Sequence, residues 1–135
     1  MRTNESKELA ARETVIRTFK NMENIFSDKD GSLAIERLMS DTLPEFSIVG
    51  PTGHKISRDE LRGALESCIG KKINIKIEAL DFDTVSSSDD LVVLNLLEKQ
   101  NYNGEDRVLR CTVLICFSEG APKWKFLHEN VVVSD

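Results

Sequence analysis

Residues 91–116, LVVLNLLEKQNYNGEDRVLRCTVLIC, decide how the rest of the chain is read. Asn103-Gly104 at its centre suits a two-residue type I′ turn, because both central positions of that turn need a positive φ. The flanks are rich in Val, Leu and Ile, so the stretch reads as a β-hairpin. If Tyr102 faces Glu105, the register of the whole hairpin follows. One face then carries Val92, Leu94 and Leu96 against Ile115, Val113 and Cys111. The other carries Leu91, Val93, Asn95 and Leu97 against Cys116, Leu114, Thr112 and Arg110. An antiparallel sheet with one wet face alternates apolar with polar residues, and here both faces are apolar near the middle. Helices from the rest of the chain can cover one of them. A second copy of the chain is the economical cover for the other, so the sequence predicts a homodimer through the outer sheet face.

On the C-terminal side, Gly120-Ala121-Pro122 marks a connection into a last strand near 123–133. On the N-terminal side, spacing of two extends back to a strand near 72–85, with Ser86-Ser87-Ser88 in the link. Before Lys71 the spacing changes to that of helices. Val15, Phe19, Met22 and Phe26 form one stripe of a helix starting near Glu5. Asp30-Gly31-Ser32 breaks it, and a short helix with Leu33, Leu38 and Met39 inward ends before Pro44. Residues 45–49 alternate as a strand, Gly50-Pro51-Thr52-Gly53 turns, and His54-Lys55-Ile56 returns. Ser57-Arg58-Asp59-Glu60 is a capping box. Its helix buries Leu61, Leu65, Cys68 and Ile69 and ends at Gly70, suited to the left-handed C′ position. The sum is class α+β: three helices on a curved, mostly antiparallel six-stranded sheet.

The chain has 135 residues, which suits one domain spanning 1–135. Hydrophobic residues make up 40% and charged residues 30%, a balance that excludes a disordered or fibrous chain. The net charge of −5, without a clustered basic surface, argues against nucleic acid as a partner. No apolar stretch approaches the ~20 residues of a membrane span, and the N-terminus shows no signal-peptide pattern. The three cysteines are an odd set and suit free thiols in a reducing cytoplasm, the expected location. Cys111 and Cys116, five apart on one strand, face opposite ways and cannot share a metal. No metal, phosphate-loop or cofactor motif is present, and Asp81-Phe82-Asp83 lacks the ligand spacing of a calcium loop. The expected cofactor and metal complement is therefore none.

The order of elements resembles the nuclear-transport-factor-2-like superfamily, closest to SnoaL-like and related single-domain members. The residues behind the resemblance are Glu45-Phe46-Ser47-Ile48-Val49-Gly50-Pro51-Thr52-Gly53, then Ser57-Arg58-Asp59-Glu60-Leu61, then Lys123-Trp124-Lys125-Phe126-Leu127-His128-Glu129-Asn130. Related sequences often end Trp-Lys-x-x-His-x-His, and this chain has Asn130 at the second histidine. The resemblance implies a cone-shaped α+β barrel whose sheet wraps the long helix and leaves an apolar pocket. Its walls would come from Phe19 and Met22, from Phe46 and Ile48, and from the meander, with Trp124 as a packing wall. Such a domain would bind a small, mostly hydrophobic molecule and would suit an isomerase, cyclase or lyase. The other reading is a non-catalytic module that associates with or docks on a larger assembly. Whether the chain is an enzyme stays open, since fold does not fix function.

Two titratable residues stand out. In an even strand, His128 shares a face with Trp124, Phe126 and Asn130, and its ordinary pKa suits general acid–base work. The connection before it sets the phase: loops of 118–122 and of 119–122 put His128 on opposite faces, so either His128 or Glu129 looks inward. The plainer role for His128 is a structural hydrogen bond. Glu98 lies in line with Val92, Leu94 and Leu96 and, desolvated there, could act as a base. The plainer expectation for Glu98 is a solvated or paired place near the strand end, beside Gln100 and Arg107. Glu45, opening the first strand, is a loose further match to acidic residues of the superfamily.

Overall fold

The computed structural model describes residues 4–118 and 120–132. The apolar stripe at four- and three-residue spacing becomes helix α1 (Asn4–Phe26), with Ala11, Val15 and Phe19 buried. Asp28 and Asp30, both at positive φ, break the helix and let the chain turn into α2 (Gly31–Ser40). Helix α2 buries Ala34, Ile35, Leu38 and Met39. Leu33, expected inward, is 48% exposed, because at 100° per residue it falls opposite the face those four define.

Strand β1 (Thr42–Val49) starts earlier than the alternation at 45–49 suggests, and β2 (Lys55–Ser57) returns beside it. The capping box opens α3 (Arg58–Ser67): the Glu60 amide donates to Ser57 Oγ at 3.2 Å, and the Ser57 amide donates to Glu60 Oε1 at 3.1 Å. Only Leu65 of the expected apolar face is fully buried, with Leu61, Cys68 and Ile69 half-buried. The helix ends at Ser67 with Cys68 as its C-cap, earlier than expected, and Gly70, at φ +73°, lies two residues past the cap rather than at C′.

Four long strands complete the chain: β3 (Lys76–Ser87), β4 (Leu91–Tyr102), β5 (Glu105–Cys116) and β6 (Lys123–Val131). The predicted last residue of the final strand, Val133, lies outside the described residues. The β4–β5 hairpin keeps the register set by its turn without a slip, from Tyr102 opposite Glu105 to Leu91 opposite Cys116. Asn103 and Gly104 both take the positive φ that the turn requires.

The six-stranded sheet runs in the order β2-β1-β6-β5-β4-β3. Its pairs are antiparallel except β1 with β6, which are parallel, so the sheet is mixed. The chain leaves β1 through β2 and α3 before it reaches the far edge at β3, and β1 thus meets the last strand rather than the next long one. Three-residue β2 and twelve-residue β3 are the two edges, so the sheet stays open and does not close into a barrel. The helices cover one face, where Val92, Leu94, Leu96, Cys111, Val113 and Ile115 are fully buried under α1. On the outer face Leu91, Val93, Leu97, Leu114 and Phe126 remain half-exposed. Among the described residues, no helix is long and apolar enough to cross a membrane.

Candidate functional site

The phase of β6 decides which side chains reach the space between helices and sheet. Trp124 pairs with Ile115 and Phe126 with Leu114, so Lys125 is an extra residue: a β-bulge. Strand β1 is irregular at the same level, pairing Thr42 with Trp124 and then Ser47 with Phe126. Pro44 lies in the skipped part of β1, where its missing N–H removes no ladder hydrogen bond. Beyond the bulge the alternation of β6 is reversed. Trp124 and Leu127 are both buried, Glu129 pairs with inward-facing Cys111, and His128 pairs with Thr112 on the outer face. His128 therefore does not line the inner space, contrary to the reading that groups it with Trp124. The bulge is the reason, and Glu129 takes that place.

A cavity of about 380 Å³ lies between α1, α3 and the sheet. Phe19 and Met22 of α1, Phe46 and Ile48 of β1, Trp124 of β6 and Glu98 of β4 all line it. Leu61, Ala64, Leu65 and Cys68 bring α3 into the wall, and Leu127 and Glu129 extend it along β6. Exposed His54, in the turn before β2, marks where the cavity meets solvent. The rings of Phe46 and Trp124 meet edge to face, 6.1 Å apart, and stiffen one side.

Two hydroxyls on the wall are already engaged. Thr18 Oγ1 accepts from Trp124 Nε1 at 2.8 Å and donates to the Thr14 carbonyl. Thr42 Oγ1 donates to the Met39 carbonyl and accepts from Arg58 Nε at 2.8 Å. The strongly polar groups facing the apolar space are thus the carboxyls of Glu98 and Glu129.

These carboxyls come from β4 and β6, with Cys111 of β5 between them. Carboxyl and thiol atoms of Glu98, Cys111 and Glu129 lie within 4.8 Å of one another. Glu98 is 1% exposed, so it is not the solvated strand-end residue that its position suggests. Gln100 Nε2 donates to Glu98 Oε2, and Cys111 Sγ lies 3.8 Å from Glu98 Oε1 as a donor. Burial pushes the Glu129 carboxyl up to about 8, the Glu98 charge and a hydrogen bond between the two carboxyls add to this, and Arg107 opposes it. At neutral pH Glu129 is therefore the carboxyl that keeps its proton, beside the buried Glu98. Burial, then the charges of Glu98 and Glu129, push the Cys111 thiol far up as well. The spacing is also short enough for one cation, whose binding would release the protons of Glu129 and Cys111.

Glu129 is the member that sequence reasoning left undecided. Its signal was the three-residue step between Trp124 and Leu127, two large apolar residues that an even strand would put on opposite faces. Glu45 is exposed and apart from the cavity. Arg110 and Asn95 meet on the outer face, where Arg110 Nη1 donates to Asn95 Oδ1 at 2.6 Å.

No family model matches the chain, and no curated protein matches it in sequence. Its fold is that of nuclear-transport-factor-2-like proteins. An NTF2-like protein of unknown function from Pseudomonas aeruginosa superposes with a TM-score of 0.86 at 22% identity, over 92% of this chain and 99% of that one. A putative dehydratase of the NTF2-like family from Streptomyces avermitilis superposes with a TM-score of 0.78 at 15% identity, over 98% of this chain and 100% of that one. A putative calcium/calmodulin-dependent kinase II association domain from Exiguobacterium sibiricum gives a TM-score of 0.63 at 10% identity, over 100% of this chain and 98% of that one.

Proposed function

We propose that the chain binds a small, mostly hydrophobic molecule in this cavity and moves a proton on it. The reaction would be of the isomerase, cyclase or lyase type. The observation that carries the reading is the pair of neighbouring carboxyls, Glu98 and Glu129, in an otherwise apolar wall. Such a pair suits a ligand with a C–H bond next to a carbonyl. The ionised carboxyl takes the carbon's proton, the C–H electron pair becomes the C=C bond of an enol, and the protonated carboxyl gives its proton to the carbonyl oxygen. From a conjugated enol, the newly protonated carboxyl can give its proton to a different carbon. The enol O–H returns its own proton to the other carboxylate as the C=O re-forms, which completes an isomerisation. Alternatively, a β-hydroxyl leaves with its C–O electron pair, takes that carboxyl's proton and departs as water while the enol O–H proton returns to the carboxylate, which completes an elimination. The cavity volume is at the small end of ligand sites, which favours a compact ring system over a long chain. The dehydratase-like neighbour is compatible with this chemistry at the level of fold.

The reading extends to assembly. The half-exposed Val93, Leu97, Leu114 and Phe126 form an apolar outer face, and its natural cover is the same face of a second copy. The kinase-association-like neighbour fits the other reading, a docking module whose cavity binds nothing.

Trp124 is the sole tryptophan and lines the cavity, so its fluorescence reports occupancy. Titration with uncharged polyketide-like rings and cyclic ketones is expected to give a saturable change. Glu129→Gln should alter that response or its pH dependence while leaving the melting temperature at pH 5.5 unchanged. Absence of a saturable response to any probe, with the wild type folded, overturns the ligand reading in favour of the docking module.

A further inference from the structure

We infer that Gln100 and Cys111 are positioning residues that make the carboxyl pair asymmetric, holding the negative charge on Glu98 and the proton on Glu129. This assigns the base to Glu98 and the acid to Glu129, and it rests on the proton-transfer reading of the cavity.

The asymmetry lies in who donates to whom. Both oxygens of Glu98 are addressed, Oε2 by the Gln100 amide and Oε1 by the Cys111 thiol. Donors aimed at a carboxylate favour its ionised form, and they do so most where water is absent. Burial keeps the Cys111 thiol protonated, so it serves as a donor and does not add a second negative charge. Among the described residues, Glu129 receives no comparable set of donors. Its partner is Glu98 itself, and only Arg107 works to ionise it. The other titratable groups on the cavity wall are Cys68 from α3 and exposed His54 from the β1–β2 turn, while α1 and α2 bring none to the wall.

The arrangement also follows from the register. Gln100 lies two residues beyond Glu98 on β4 and so shares its face, and Cys111 pairs with Leu96 on one side and Glu129 on the other. The charge is thus held from the sheet side, and the proton stays on the strand that the bulge turns inward.

The test is carbon-13 NMR of the glutamate carboxyls in the intact, ligand-free protein across a pH series. At pH 6.5 the wild type should show Glu129 at the protonated carboxyl position and Glu98 at the ionised one. The reverse assignment overturns the inference, and this needs no variant. In Gln100→Leu with Cys111→Ala, the Glu129 midpoint should fall by about one pH unit, the scale set by loss of charge-assisted hydrogen bonds, as the proton redistributes onto Glu98. Restoring a donor with Cys111→Ser should recover part of that shift. A Glu129 midpoint that does not move in the double variant overturns the positioning role. Because these titrations use no ligand, a cavity that binds nothing would fail the fluorescence test and leave this one standing.

Discussion

The proton on Glu129 should make the protein less stable as pH rises through neutrality, and Glu129→Gln should remove that loss. Burial and the neighbouring Glu98 charge raise the Glu129 carboxyl from 4.5 to about 8 in the folded chain. The folded state therefore holds a proton that the unfolded state has released throughout that window. The sign follows from linkage: the contribution to stability is fully present below pH 4.5 and is lost as pH rises through about 8. One proton corresponds to roughly 1 kcal/mol per pH unit, so pH 5.5 to 7.5 removes about 2–3 kcal/mol. At ~4 °C per kcal/mol for a domain of this size, the melting temperature falls by about 10 °C. Glutamine matches the shape of the neutral acid and binds no proton. The Glu129→Gln variant should thus melt close to the wild type at pH 5.5 and clearly above it at pH 7.5. Calorimetric scans of both proteins across this range supply the comparison. If the variant declines with pH as steeply as the wild type, the proton does not reside on Glu129, and both the pair and the chemistry built on it must be abandoned.

Leu94 is fully buried on the inner face, so Leu94→Asp places an unpaired charge in the core and costs several kcal/mol out of a total of ~5–15. A cooperatively melting Leu94→Asp protein in circular dichroism would invert the face assignment. Ser57→Ala removes one half of the capping box and should cost about 1 kcal/mol, read as a shift in the urea midpoint. Light scattering should return twice the 15.2 kDa chain mass for the wild type and the single mass for Val93→Lys. A wild type that is monomeric at micromolar concentration removes the outer face as an interface.

Local chemistry made most of the fold readable. Asn103-Gly104 admits one tight turn, and that turn fixes every pair between β4 and β5. Ser57 and Glu60 set a helix boundary through two reciprocal hydrogen bonds within four residues. The site was harder because it depends on neighbours distant in sequence. Glu98 is buried because Glu129 and the helices enclose it, and nothing in residues 96–100 announces that cover. The phase of β6 depends on pairing with β1 around Pro44, about eighty residues earlier, and on a parallel contact that element order alone does not dictate. The apolar walls were accessible through the resemblance, which implies Phe19, Met22, Phe46 and Ile48. The carboxyl opposite them was not.

The bulge at Lys125 also bears on how such a site can change over evolutionary time. His128 and Glu129 are adjacent, and the strand shows the cavity one of them at a time. If β6 ran evenly from Trp124, the imidazole would look inward and the carboxyl would lie on the outer face. Neither residue needs to mutate for the exchange: a one-residue slip in the strand suffices. Lineages with this architecture therefore have a route to changing the titratable group on the cavity wall that comparison of aligned columns would miss, because the side chain that meets the cavity is set by the phase of the strand rather than by any single letter of it.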